Sequence, residues 1–327
     1  MKKFKEEILI VGKNESGRQF KMGSVVSLVR VQNSPEDLKD TISKGLDLIN
    51  FKPDSSVKSV IIKPNLCYYW DSNTGYTTDP RVVASIIDWI RETCGDVDIK
   101  IAEADASAMR TKYAFPVLGY EKLAKEKKVK LFNLSEDVLV DKTIKVNGRE
   151  ISFKVPQILL DSDLFVNVPK LKIMKIVKVT CAMKNLFGCL GTPKKVVYHK
   201  FLNEAIVGIN KILHPRLTIV DGIVALGRYP TKLGLIMAGT DPFAVDWVAS
   251  QIMGYEPLNV KFLEIAIKEG LGNPKNVTIR GEKISEFAKN FPKEGGISTG
   301  FLWSVEFWLL KTYRRLVGDV IPPILEE

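Results

Sequence analysis

The chain has 327 residues, 45% hydrophobic and 26% charged, the balance of a globular protein whose core needs no covalent staples. Four scattered cysteines with no CxxC pair exclude a disulfide scaffold, and the lack of a run of about eighteen apolar residues excludes a transmembrane helix. A formal net charge of +10 points to acidic partners: phosphorylated or carboxylated metabolites, nucleic acid or an anionic membrane surface.

The start, MKKFKEEILIVGKNESG, has a short apolar run soon followed by Lys13, Glu15 and Arg18. That is not the pattern of a secretory signal, so a cytoplasmic chain is expected. Residues 23–31 (GSVVSLVRV) read as a strand. Ser34-Pro35-Glu36 reads as a cap for a helix carrying Leu38, Ile42, Leu46 and Ile49 at helical spacing. Residues 57–62 form a buried strand ending at Lys63-Pro64-Asn65, followed by a polar-aromatic loop over residues 66–77. Thr78-Asp79-Pro80 places a cap and a first-turn proline before a helix over residues 80–93, with Val82, Val83, Ile86, Ile87 and Ile90 on one face.

Residues 99–102 are a strand ending at Glu103, residues 120–127 a helix, and residues 129–132 a strand. Residues 143–153 (TIKVNGREISF) predict a hairpin turning at Asn147-Gly148, expected as an antiparallel flap on the main sheet. Further strands cover residues 164–168, 217–220 and 234–238, the last followed by Asp241-Pro242 and a helix to residue 253. The alternation predicts an α/β fold: a mostly parallel open sheet with helices on both faces, plus the β-hairpin insertion and a C-terminal aromatic helix. Expected boundaries are an extension at 1–22, the α/β domain at 23–294 and a helical tail at 295–327.

Ligands of such sheets bind outside the carboxyl ends of the strands. The residues expected there are Lys63, Asn65, Glu103, Lys170, Lys172, Asp221 and Asp241. Each has a plainer use as well: Asp241 before Pro242 reads as a helix cap, Asp221-Gly222 and Asn65 as turn residues.

Between Asp163 and Glu204 no acidic side chain occurs, yet the stretch carries Lys170, Lys172, Lys175, Lys178, Lys184, Lys194, Lys195 and Lys200. Like charges gathered this way suit an anion that neutralises them. Within it, residues 180–191 (TCAMKNLFGCLG) offer Ala182, Met183, Leu186 and Phe187 as a packing face. Lys184 and Asn185 would project, and Gly188 and Gly191 would let the backbone approach a phosphate or carboxylate. Neither GxxxxGK[ST] nor GxGxxG occurs, so neither a P-loop nor a dinucleotide fingerprint is present.

His199 is a candidate acid or base. His214, before Pro215, reads as a helix-end cap. An oxygen-ligated divalent metal would draw on Glu103, Asp221, Asp241 and Asp246. Cys67, Cys181 and Cys189 lie in or beside the same loops, and three thiolates are one way to hold an iron–sulfur cluster.

Several segments together resemble the domain-of-unknown-function family numbered 362. They are Ile62-Lys63-Pro64-Asn65, Thr78-Asp79-Pro80, Gly119-Tyr120, Val168-Pro169-Lys170-Leu171-Lys172 and Ala182-Met183-Lys184-Asn185-Leu186-Phe187-Gly188. His199, Val220-Asp221-Gly222-Ile223 and Gly239-Thr240-Asp241-Pro242-Phe243-Ala244-Val245-Asp246 complete the set, over about residues 24–255. The resemblance implies an α/β domain, in some members fused to ferredoxin-type modules. This chain lacks the cysteine array of such a module, and it reads Ile173-Met174 where the family pattern often has threonine-histidine.

The leading expectation is a cleft that binds or transforms an anionic small molecule. Lys63, Asn65, Lys170, Lys172, Asn185 and Gly188 would hold it, and Lys184, His199, Asp221 and Asp241 would do chemistry. Iron–sulfur redox chemistry and lysine-mediated nucleic-acid binding are the alternatives. Phe301, Trp303, Phe307, Trp308, Leu309, Leu310 and Tyr313 beside Lys311, Arg314 and Arg315 suit a packed terminal helix, a homo-oligomer contact, or a membrane surface through 300–316.

Overall fold

The computed structural model of the protein describes residues 23–31 and 37–293. The expected cap at Ser34, the N-terminal extension and the aromatic tail lie outside them. The chain begins β1 (Ser24–Arg30), α1 (Asp37–Leu48), β2 (Ser59–Pro64), α2 (Pro80–Cys94), β3 (Asp98–Glu103), α3 (Thr111–Val117), α4 (Tyr120–Lys127) and β4 (Lys130–Asn133). It continues with β5 (Leu139–Val146), β6 (Arg149–Pro156), α5 (Gln157–Asp161), β7 (Leu164–Val168), β8 (Lys170–Met174), β9 (Lys178–Thr180), α6 (Ala182–Phe187) and α7 (Leu202–Ile212). Last come β10 (Leu217–Leu226), β11 (Pro230–Gly239), α8 (Pro242–Ile252), α9 (Lys261–Lys268), β12 (Val277–Gly281) and α10 (Ile284–Ala288).

The main sheet runs β12-β1-β11-β10-β7-β2-β3-β4, with β8 paired to β10 and β9 to β8. Most neighbours are parallel; β11 runs against both β1 and β10, and β9 against β8. Helices α1 to α4 cover one face through helically spaced aliphatics such as Leu38, Ile42, Ile86 and Leu123, and α6 to α9 cover the other. With both faces covered, central strands such as β7 are buried along their whole length, which is why they read as apolar runs broken at most by a single polar residue.

Helix α2 starts as its sequence dictates. Asp79 is the N-cap, its side chain accepts from the Arg81 backbone N–H at 2.9 Å, and Pro80 takes the first turn. The hairpin turns at Asn147 (φ 50°) and Gly148 (φ 79°), the left-handed pair that a tight two-residue connection needs. It differs from expectation in one respect: β5 and β6 form their own two-stranded sheet rather than a flap on the main one. Phe153 and Ile144 pack against Gly208 of α7, where a methyl group would meet the Phe153 ring at 3.0 Å.

Strand β10 does not end at Asp221. It runs on to Leu226, and residues 227–229 turn directly into β11. A connection that short joins antiparallel strands only. The chain leaving β11 therefore emerges at the amino-terminal edge of the parallel strands, where β1 begins. Asp241 accepts a hydrogen bond from Ser24 there at 2.7 Å and caps α8 through the Phe243 N–H at 2.9 Å.

Candidate functional site

The carboxyl edge of β2, β3 and β7 is where the predicted basic residues meet. Past β7, Pro169 breaks the strand, and its carbonyl accepts from the Asp221 backbone N–H at 2.9 Å, so β8 continues alongside the extended half of β10. In β8 the strand period of two puts Lys170 and Lys172 on one face and Leu171 and Ile173 on the other, in the apolar core. Both lysines are 1% exposed.

Two buried ion pairs organise the floor. Lys63 Nζ lies 2.8 Å from Glu103 Oε2 and also donates to the Pro64 carbonyl at 2.8 Å and to Asn185 Oδ1 at 3.1 Å. Glu103 also accepts from the Leu66 N–H at 3.1 Å and the Ala104 N–H at 2.9 Å. Lys170 Nζ lies 2.8 Å from Asp221 Oδ2, which accepts from the Asp79 N–H at 2.7 Å; Asp221 Oδ1 takes the Ile223 N–H at 3.0 Å. With every carboxylate oxygen bonded, a buried aspartate in mid-strand is tolerable.

Three further lysines have no carboxylate within 4.0 Å among the described residues: Lys172, Lys184 and Lys195. Lys172 donates to the Tyr76 carbonyl at 2.8 Å, and its ammonium sits 5.8 Å from the centre of the Tyr76 ring. Lys195 donates to the Asp105 carbonyl. Lys184 makes no hydrogen bond or ion pair among the described residues; its ammonium lies 5.2 Å from the Phe187 ring centre. Burial pushes the Lys184 amine down to about 8, with the charges of Lys172 and Lys63 adding to the effect. Burial likewise brings Lys195 down to about 8, and lowers Lys172. Asn65 Oδ1, Thr77 Oγ1 and Thr180 Oγ1 are buried oxygens with no bonding partner, from the β2 loop and from the residue opposite Lys172.

Thr78 ties the edge together. Its hydroxyl donates to the Val168 carbonyl at 2.9 Å and accepts from the Asn65 N–H at 2.9 Å, while its carbonyl accepts from the buried Tyr120 hydroxyl at 2.8 Å.

Thus Lys63, Asn65, Glu103, Lys170, Lys172, Lys184, Asn185 and Asp221 share one edge of the sheet. Asp241 and Asp246 do not join them. Asp241 is at the opposite edge, as the reversed β11 requires. His199 is exposed on the turn over residues 195–201, whose inward side chains are Lys195 and Tyr198. Asp246, fully buried on α8, accepts from the Ala182 N–H at 2.6 Å and the Met183 N–H at 3.0 Å, and so tethers α6. Burial outweighs those two bonds and brings its carboxyl up to about 7. Asp246→Asn keeps one acceptor and loses the other, so a loss of about 1–2 kcal/mol in unfolding free energy is expected by urea titration.

The proposed metal set of Glu103, Asp221, Asp241 and Asp246 is therefore not a set. Among the described residues no three His, Cys, Asp or Glu side chains are grouped to hold a metal ion. The same finding separates the three cysteines. Cys181 precedes α6 beside Asp246, Cys189 follows it near Lys63, and Cys67 sits in the loop beside Lys172 and Lys184. Burial pushes the Cys189 thiol up to about 12 and Cys181 well above its ordinary value.

Gly188 does make a close approach, but to a protein group: a methyl group there would lie 3.1 Å from Lys63 Nζ and 2.9 Å from the Asn185 carbonyl oxygen. At Gly191 it would strike the Leu139 side chain at 2.2 Å, so that glycine admits the hairpin. Lys195 and Asn167 were not among the expected site residues. Asn167 joins the network through Asn185 Nδ2 at 2.8 Å and the Ala182 carbonyl at 3.1 Å. Its signal was a lone amide inside the apolar run LFVNV. Lys195 is distinguished from Lys194 only by which way the turn faces.

A family model described as a domain of unknown function (DUF362) matches residues 60–251, a span that includes this edge. A curated relative, a thylakoid-associated protein of a Synechocystis strain, is 28% identical over 229 residues, covering 66% of this chain and 68% of that protein. Among solved structures, the lactate racemase apoprotein of Thermoanaerobacterium thermosaccharolyticum overlaps with a TM-score of 0.36 and 12% identity. That overlap covers 70% of this chain but less than two thirds of the other, 58%, and carries no functional weight. No helix of the described residues is long and apolar enough to cross a membrane.

Proposed function

The chain belongs to the DUF362 family, and from that premise we propose that it binds a small phosphate- or carboxylate-bearing molecule at the carboxyl edge of its parallel strands. The observation that supports this most is the surplus of positive charge. Lys63 and Lys170 are neutralised by Glu103 and Asp221, whereas Lys172, Lys184 and Lys195 have no carboxylate partner among the described residues. Glu103 and Asp105 act on Lys195 only from beyond ion-pair distance, and an ammonium group largely out of water without a counter-charge in contact is strongly unfavourable. A bound anion offsets that, and the unbonded hydroxyls of Thr77 and Thr180 have a proton to donate.

Burial favours a small ligand over a polynucleotide. Lys172 is 1% exposed and Lys195 8%, beyond the reach of a phosphate backbone lying on the surface. The exposed members of the stretch, Lys175, Lys178, Lys194 and Lys200, do not form the cluster.

Differential scanning fluorimetry with orthophosphate, pyrophosphate, citrate and oxalate tests the reading. At least one should raise the midpoint at about pH 7, since binding at a hundredfold excess over Kd stabilises by about 2.7 kcal/mol. The pH dependence has a definite sign. The anion favours charged lysines, and Lys184 and Lys195 lose their protons near 8. The stabilisation should therefore shrink as pH rises from about 7 to about 9.5. No shift with any anion, or one that is constant over that range, contradicts the proposal.

A further inference from the structure

We propose that Lys184 is a nucleophilic amine that forms an imine with the carbonyl carbon of a small oxo acid, the acid's carboxylate being held by the neighbouring lysines. This rests on the anion-binding reading and narrows it to a substrate class.

Lys184 differs from the other lysines of the cluster in three ways. It is the one without a hydrogen bond or ion pair among the described residues. As a residue it is half-buried, whereas Lys63, Lys170 and Lys172 are each 1% exposed. The groups whose charges act on it are two cations and one thiol: Lys63 on β2, Lys172 on β8 and Cys67 in the loop after β2. No carboxylate among the described residues holds it in the ammonium form. A lysine beside other cations in a desolvated site is the arrangement that makes an amine nucleophilic near neutral pH. With its amine brought down to about 8, a sizeable share is uncharged under physiological conditions.

The step balances without an oxidant or reductant. The Nζ lone pair adds to the carbonyl carbon, and the carbonyl oxygen takes one proton from the adjacent Lys172 ammonium. Nitrogen then gives up one of its two protons to the same oxygen, water leaves, and the remaining bond is a protonated imine. Lys172 regains its proton from solvent. Such an imine withdraws electrons from the neighbouring carbon, which suits proton abstraction or decarboxylation of an oxo acid.

The test uses pyruvate as probe with cyanoborohydride as trapping reductant, read by intact mass and peptide mapping of the full-length protein. The expected result is one dominant adduct on Lys184, suppressed by orthophosphate and lost in Lys184→Arg. Thermal midpoints with pyruvate and with orthophosphate are recorded on the same samples. Stabilisation by either anion with no adduct on Lys184 overturns the imine step and leaves the anion site standing. Labelling spread over surface lysines and unchanged in Lys184→Arg overturns it equally. Absence of both stabilisation and adduct overturns the two readings together. Because the wild-type protein is itself trapped and mapped, a misfolded variant does not decide the outcome.

Discussion

Asp221→Ala is expected to lower the unfolding free energy by about 3–5 kcal/mol, the usual consequence of removing one partner from a buried ion pair. Lys170 and Asp221 are 1% and 0% exposed at the side chain, and their 2.8 Å contact is the one hydrogen bond that the Lys170 ammonium makes among the described residues. Alanine would strand that charge and also release the N–H groups of Asp79 and Ile223, which the same carboxylate accepts. Since Asp79 caps α2, the damage reaches a second element. Urea titration of the single variants and of Lys170→Met with Asp221→Leu separates charge from packing. The double apolar replacement should recover most of the loss. A loss under about 1 kcal/mol for Asp221→Ala would contradict the buried-pair account.

Lys184→Met is expected to act in opposite directions on binding and on stability. One charge-assisted hydrogen bond contributes about 1.5–3 kcal/mol, so anion affinity should fall about tenfold to about a hundredfold. The ligand-free protein should become more stable. The folded-state value of about 8 lies below the ordinary 10.5 of a free lysine. Between those two values the unfolded chain binds more protons than the folded one, so wild-type stability rises with pH across that window. Methionine removes the charge, keeps the stem against Phe187 and leaves no partner unsatisfied. The variant should gain at neutral pH and lose that part of the pH dependence. Calorimetric titration with the best anion and thermal midpoints at about pH 7 and about pH 10 measure both effects. Unchanged affinity would remove Lys184 from the site.

The lysines of this edge are legible in the sequence because strand period and position are local. Lys63 follows an apolar run, and Lys170 and Lys172 alternate with Leu171 and Ile173. The cap at Asp79-Pro80 and the Asn147-Gly148 turn are equally local, fixed by backbone chemistry within a few residues. Asp241 is misplaced by such reasoning because its position depends on strand direction. A signal exists: with both strands drawn to full length, only residues 227–229 separate β10 from β11, too few for a crossover. Pattern reading cuts the first strand short at Asp221 because an aspartate in an apolar run reads as a terminus. Only the distant Lys170 shows why it is not. Asp246 is legible as part of a motif but not as a tether, since its partners lie 64 and 63 residues away.

The alternation in β8 also makes spacing as demanding as identity. Adding or removing one residue between Pro169 and Lys170 would turn both ammonium groups toward the aliphatic layer behind the strand and bring Leu171 and Ile173 to the polar side. Conservative exchanges can be absorbed along this ribbon, but a shift of frame inverts it. A change in length is therefore expected to be tolerated only in the connections beyond its ends.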